Sequence, residues 1–276
     1  EFDYDSFDVQ TRNWVNQRLQ YTHGYGVALS PVNQVSPEGL PDFFIKNIPP
    51  ESSVDLSIDQ ARLYYGEETN YHVYTGMSTD EFDYPSNDGN ANNRYDGAGG
   101  VSIGNALRRS AYAFGFGTLK PLISNYFTSA SKVHYHRNIT QRARQIVPFL
   151  QLDSDPYLAL IGGRFKWIID GYTTSDRYPY SEPLARSRNV NTLLANQPQL
   201  TNIVETGTNY IRDAAKVVID AYDGTLTVYA LSQTDPVLDT YQKIFPDLFT
   251  PLSEASDELK EHFRYPLNLF QIQAQM

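Results

Sequence analysis

Two stretches of this chain bring together side chains that can do chemistry: "YTHGYG" at 21–26 and "DSDPYLALIGGRFKWIIDGYTTSDRYPY" at 153–180. From them His23, Asp155, Asp170, Tyr172, Asp176 and Arg177 form a candidate ligand pocket. Paired carboxylates with one imidazole can act in general acid–base steps or hold a hard cation such as calcium, and a glycine beside His23 lets the backbone approach a ligand. The same spacing has a structural reading. Asp153 and Asp176 can cap turns through backbone amides, and Arg177 can tie a loop to a carboxylate.

Other motifs are incomplete. His134 and His136 would point the same way in a strand and could hold zinc or copper, but they need a third ligand that the sequence does not announce, and there is no HExxH. The alternative is an ordinary surface or core histidine pair. "DGAGGVSIGNALRR" at 96–109 puts glycines before a helix with Arg108 and Arg109 downstream, yet the phosphate-binding lysine is missing, so a loop followed by a helix accounts for it. Asp88, Asn90 and Asn92 occupy calcium-loop positions one, three and five, but Asn93 stands at the sixth position and Gly99 at the twelfth. There is no cysteine, and the Ser and Thr residues sit mostly in turn and cap contexts, so nucleophilic catalysis has no support. No cofactor is called for.

These residues must be positioned by hairpins and helices. Around Gly162-Gly163 a two-residue turn would place Leu158 opposite Trp167 and Leu160 opposite Phe165 on a core face. Tyr157, Ala159, Arg164, Lys166 and Asp170 then fall on a face that meets water or a polar partner. Asp223-Gly224 would pair Ile219 with Val228 and Ala221 with Leu226, with Asp220 opposite Thr227, and "ARLYYGE" would pair with "YHVYTG" through 67–70. Ile139, Ala143, Ile146, Val147 and Leu150 make one helical stripe that Pro148 ends, with Arg142 and Arg144 outside. In "IGNALRRSAYAFGFG", Leu107, Ala111 and Phe114 are expected to face inward. Asp235 with Pro236, and Ser256, start two later helices. Polar stretches at 76–100 and 181–209 are linker candidates. The fold class is α+β, antiparallel β-hairpins packed with amphipathic helices, organised as one domain over 1–276.

Bulk properties narrow the partners. With 22 Lys and Arg against 32 Asp and Glu, the net charge of −10 gives no overall electrostatic footprint for nucleic acid or an anionic membrane surface. Zero cysteine excludes disulfides and Cys-ligated zinc and leaves the redox compartment open. The 21 Tyr can fill strands or line a sugar or peptide groove. The chain starts at Glu1 without Met and stops within a helical pattern, "PLNLFQIQAQM", so both ends read as cut from something longer.

"YTHGYGVALSPVNQVSPEGLPDFFIKNIPP", "RLYYGE", "EFDYP", "DSDPYL", "DGYTTSDRYPYS", "NYIRDAAKVVIDAYDGT" and "FRYPLNLFQIQAQM" occur in order along nearly the whole chain. Together they resemble uncharacterised protein family 0182, large bacterial and cyanobacterial membrane proteins. The resemblance implies a multi-pass transmembrane region N-terminal to this segment, with which it would partner, and places the segment outside the cytoplasm, in a protein of the plasma membrane. It implies no reaction. One departure is "HYHRNI", where a "YYRNI"-like string is expected, and it makes His134 and His136 a feature of this chain.

The leading expectation is therefore an extracytoplasmic binding or assembly module of the cell envelope. Rival readings are an envelope hydrolase acting on a polysaccharide or cell-wall polymer through paired carboxylates, and a sensor or transport-associated module. An envelope glycan or a small molecule is the expected ligand class.

Overall fold

The computed structural model describes residues 8–87, 89–231 and 234–276, and their fold is α+β. The chain forms two compact units. Unit 1 comprises residues 1–138 with 163–165 and 221–224, and unit 2 comprises 139–162, 166–220 and 225–276. The stretch 76–100 lies inside unit 1 and 181–209 inside unit 2. Among the described residues no helix is long and apolar enough to cross a membrane.

Unit 1 is built from short antiparallel pairs. β1 (Gly24–Tyr25) pairs with β4 (Arg62–Leu63), and β2 (Ile45–Lys46) with β3 (Glu51–Ser52). β5 (Val73–Thr75) and β8 (Val101–Ser102) flank β9 (Lys132–His134), while β6 (Glu81–Ser86) and β7 (Gly89–Asn93) form a hairpin where the polar composition suggested a linker. Leu19, Tyr74, Met77, Ile103 and Val133 make its apolar core. The expected pairing of "ARLYYGE" with "YHVYTG" does not form. Arg137, buried, donates instead to the carbonyls of Thr22 (2.6 Å), Tyr64 (2.7 Å) and Tyr71 (3.1 Å), and one guanidinium clips three segments that a simple hairpin could not join.

α1 (Ala106–Gly115) starts at Asn105, whose side chain accepts from the Leu107 amide, and α2 (Lys120–Ile123) follows it. The face that packs inward is not the expected one. Ala113 is buried and Tyr112 and Phe116 join the core cluster, with the Phe116 ring stacked 4.1 Å from that of His72, whereas Leu107 and Phe114 are exposed. Two aromatic rings offer more area to bury than one Leu and one Phe separated by two turns, and the helix rotates accordingly.

Unit 2 begins with α3 (Ile139–Ile146), which stops ahead of Pro148 and buries Ile139 and Ala143 while leaving Ile146 exposed; Val147 and Leu150, just past its end, are buried too. Its sheet runs β10 (Gln151–Leu152), β12 (Arg164–Ser175), β13 (Tyr210–Asp220), β14 (Leu226–Ala230) and β15 (Phe249–Pro251), with β11 (Tyr157–Ile161) also paired to β12. The β10–β12, β12–β13 and β13–β14 pairs are antiparallel and the β14–β15 pair is parallel. Gly162 and Gly163 have φ of 57° and 72°, the positive values a tight two-residue turn needs.

The sheet is covered on both faces. Ala159 and Ile161, on the side expected to meet water, are buried with Ile168 and Val218 against Ala255 and Leu259, the latter on α6 (Asp257–Glu261), capped by Ser256. Asp170 on that side is buried as well. On the β13–β14 hairpin, Val217 faces Val228 and Ile219 faces Leu226, two residues from the expected register. A slip of two preserves which side chains face the core. Its cause is the loop 221–224, which belongs to unit 1: the Ala221 amide donates to the Phe165 carbonyl, and the Ala221 carbonyl accepts from the amides of Tyr64 and Tyr65. α4 (Arg188–Asn196), α5 (Pro236–Ile244, capped by Asp235) and α7 (Leu267–Gln273) complete the unit. Leu184, Leu200, Ile203, Leu269 and Ile272 pack with Tyr172.

Gly224 marks a tight point of unit 1. It has φ of +67°, and a Cβ there would fall within the Tyr65 ring. Gly39 has φ of +81° with nothing near its Cβ position. Gly224→Ala is expected to cost about 2–4 kcal/mol, from overpacking added to the left-handed backbone penalty. Gly39→Ala is expected to cost about 1–2 kcal/mol from the backbone alone. Chemical unfolding of both variants checks the difference.

Candidate functional site

The six residues of the expected pocket separate into different settings. His23 lies in unit 1 and the other five in unit 2. Around His23 the strands build a buried polar network. The alternation along β6 points Glu81 and Asp83 inward and leaves Phe82 and Tyr84 only partly buried. His23 Nε2 lies 3.1 Å from Asp83 Oδ1, and Nδ1 lies 3.0 Å from Thr22 Oγ1 and 3.5 Å from Glu81 Oε2. The register Tyr25↔Arg62 sets both side chains on the same carboxylate. Tyr25 OH donates to Asp83 Oδ1 (2.5 Å), and Arg62 grips both oxygens, Nε to Oδ1 at 2.8 Å and Nη2 to Oδ2 at 2.7 Å. Glu81 accepts from Thr22 Oγ1 and Tyr64 OH, each 2.5 Å, and from the Tyr95 amide at 3.0 Å.

The electrostatics follow from these contacts. Burial pushes the Asp83 carboxyl up, but hydrogen bonds from His23, Arg62 and Tyr25 outweigh it and hold Asp83 well below the usual carboxylate range. The Tyr25 and Tyr64 hydroxyls are pushed up by burial and by their carboxylate partners. The carboxylates are saturated with donors. Such a network fixes the strands and leaves no evident base to take a substrate proton.

A second buried cluster of unit 1 contains His134. Its Nδ1 is 2.9 Å from Tyr65 OH and its Nε2 is 3.0 Å from Thr75 Oγ1. His136 lies beyond the end of β9 with φ of 47° and is exposed, so strand alternation does not carry the two rings to one face. Among the described residues, no group of three or more His, Asp or Glu is placed to hold a metal ion. The glycine-rich loop at 97–100 packs on Tyr95 and His134: Tyr95 OH donates to Asp223 (2.8 Å) and accepts from the Gly99 amide (2.8 Å), and Arg164 holds the other Asp223 oxygen at 2.8 Å. Asn90 and Asn92 are residues of β7, paired with Pro85 and Phe82, and not of a loop; Asp88 lies outside the described residues.

In unit 2, Asp155, Asp170 and Tyr172 do come close, through Asp153, which the sequence offered as a turn cap, and through Lys216, which it did not single out. Asp153 is the hub: it accepts from Tyr172 OH, from the Asn268 amide (3.1 Å) and from the Asp155 amide (2.9 Å), the last an Asx turn. Lys216, buried, bonds Asp170, Asp213 Oδ2 (3.1 Å) and the Arg264 carbonyl (3.3 Å). Burial pushes Asp213 up to about 6 and raises Asp170 also, more than the nearby Lys216 lowers either. Asp155 is exposed and paired with Arg264 Nη2 (3.1 Å), whose guanidinium lies 3.7 Å over the Tyr157 ring. Asp176 and Arg177 sit past the end of β12, exposed and 3.7 Å apart as neighbours in sequence.

The open space lies elsewhere in unit 2. A cavity of about 470 Å³ has an apolar floor of Leu184, Ile211, Leu269 and Ile272 and a wall formed by Tyr178 and Tyr210, stacked with ring centroids 5.3 Å apart. Asn209 holds that wall by bonding the Tyr178 amide (3.0 Å) and the carbonyls of Tyr178 (2.9 Å) and Ser181 (3.1 Å). Tyr210 OH donates to Asp235 (2.9 Å), and burial together with that bond pushes the hydroxyl up to about 12. Among the described lining residues Arg212 carries the only charge. An apolar floor, a ring pair and a few rim donors suit a ligand with one apolar face and several hydroxyl or amide groups.

The sequence profile of Uncharacterised protein family (UPF0182) matches residues 1–276. The chain belongs to this family. A UPF0182 protein of Trichodesmium erythraeum is 50% identical over 276 residues, all of this chain and 30% of that protein. Family members of Pelotomaculum thermopropionicum and Methanospirillum hungatei are each 44% identical, over 100% and 97% of this chain and 28% of their own length. The chain thus spans less than a third of these relatives. No solved structure matches it.

The buried networks have a sequence signal that could have been followed. "EFDYP" alternates carboxylates with aromatics, which in a strand puts Glu81 and Asp83 on one face. The cavity has none, because Tyr178, Asn209 and Leu269 are distant in sequence.

Proposed function

We propose that this region is a non-catalytic binding and assembly module of a UPF0182 membrane protein at the cell envelope, and that the cavity of unit 2 takes a glycan or peptide of the envelope. The observation that carries this reading is the division of labour within unit 2. Its buried acidic residues are engaged by Lys216, Tyr172 and backbone amides, while the open cavity is walled by stacked tyrosines and carries Arg212 as its charge. Acid catalysis needs a proton donor facing the substrate, whereas recognition needs only shape, rings and fixed donors.

The test is a thermal-shift screen of the 276-residue chain with soluble peptidoglycan fragments. A fragment present at a hundred times its dissociation constant should stabilise the fold by about 2.7 kcal/mol. The shift should vanish in Tyr178→Ala, whose ring is half exposed, and persist in Asp155→Ala. Bond cleavage in the added fragments, abolished by Asp155→Ala, would replace this reading with hydrolysis; no shift with any fragment would remove the cavity as a site.

A further inference from the structure

The helix α1 and the turn into α2 display to solvent what a helix of this composition ordinarily buries. Leu107 and Phe114, two turns apart on α1, are 82% and 90% exposed, and Ala111 between them is exposed as well. Leu119 and Ile123, at the two ends of the following turn of helix, are 70% and 76% exposed. α1 and α2 pack on each other. Scattered single apolar side chains on a surface need no explanation, but four large ones within residues 107–123 do.

The charge of this region is the opposite of the chain's. From Gly97 to Asn138 the sequence has five Lys or Arg, namely Arg108, Arg109, Lys120, Lys132 and Arg137, and no Asp or Glu, within a chain of net charge −10. Arg108 and Lys120 are exposed beside the apolar side chains. Summing charge over the whole chain conceals this acid-free run. Exposed Leu, Phe and Ile flanked by cations, with no carboxylate among them, is the arrangement that settles at the interface of an anionic bilayer: the apolar side chains enter the acyl boundary and the cations stay with the head groups.

We propose that the α1–α2 hairpin of unit 1 is a docking surface for an anionic lipid bilayer. A second copy of this chain fits less well, because a two-fold contact would set Arg108 and Lys120 of one copy against the same cations of the other. The proposal stands apart from the cavity of unit 2 and does not depend on what that cavity binds.

Flotation of the 276-residue chain with vesicles tests it. The chain should float with vesicles of phosphatidylcholine mixed with phosphatidylglycerol, much less with phosphatidylcholine alone, and less again as salt is raised. Phe114→Ser and Ile123→Ser should each lower the partition by about tenfold while leaving the thermal midpoint unchanged, because both side chains already face water. Phe114→Trp should show a blue-shifted emission when the mixed vesicles are added. A chain that stays in the buffer, or one whose flotation ignores the Ser variants, overturns the proposal. So does a wild-type dimer in sedimentation velocity that Phe114→Ser dissolves, which would assign the face to a second copy.

Discussion

Lys216→Met is expected to destabilise unit 2 by about 3–5 kcal/mol at pH 7, the cost of leaving buried carboxylates without their cation. Lys216 and Asp170 side chains are 3% and 4% exposed, and Asp213 shares the same ammonium. The penalty should shrink as the pH falls. Asp213 has a folded pKa of about 6, above its ordinary value of 3.8, and that of Asp170 is raised too. A group raised in this sense favours the folded state when protonated: its contribution is complete below pH 3.8 and is lost as pH rises through 6. In the variant, with no ammonium nearby, protonation restores neutrality to the site. Urea unfolding at pH 7 and pH 5, with hydrogen exchange on the β12 and β13 amides to localise the change, should show the Met variant closer to wild type at the lower pH. Equal penalties at both values would mean that Lys216 acts by packing rather than by charge.

Asp83→Ala should have an effect of similar size on unit 1, about 3–5 kcal/mol, because the alanine strands a buried His23, the Tyr25 hydroxyl and the Arg62 guanidinium together. Here the pH dependence runs the other way. Asp83 and Asp223 are held below their ordinary 3.8, so the stability they contribute is present above that value and is lost as the pH falls through and below it. Wild-type unit 1 should therefore lose protection in acid while the low-pH side relieves Asp170 and Asp213 in unit 2. Hydrogen exchange at pH 3 and pH 6, corrected for intrinsic rates, would resolve the two units. The double variant Arg62→Met/Asp83→Ala should cost less than the two single changes summed, since it removes both charges of the bidentate pair. Strict additivity would show that the pair carries no coupling energy.

These expectations recast what the acidic residues do. Asp155, Asp170 and Tyr172 stand out in the sequence as site residues, and they belong to one neighbourhood around the turn-capping Asp153, but the groups that complete it are Lys216, Asp213 and Asn268. Chain proximity cannot reveal these, because strand pairing brings Lys216 opposite Asp170 across 45 intervening residues. His23 belongs to a different unit. For Arg137 the case is starker: a basic residue ahead of a helix reads as surface, yet it bonds three carbonyls of unit 1 from a buried position.

What the sequence alone determined is local. The α+β class, the Gly162-Gly163 turn, the helix that stops before Pro148 and the caps at Asp235 and Ser256 follow from conformational preferences set within a few residues, where φ, side-chain period and capping bonds decide. The family, too, was legible from ordered strings along the chain. Only the tertiary structure decided faces and partners. Whether α1 turns Leu107 and Phe114 or Tyr112 and Ala113 inward depends on what the rest of unit 1 offers to pack against, and whether an Asp is a catalyst or a lock depends on the donors that distant strands deliver to it. Those terms are non-local, each of a few kcal/mol, and they outweigh the tenths that local propensity supplies.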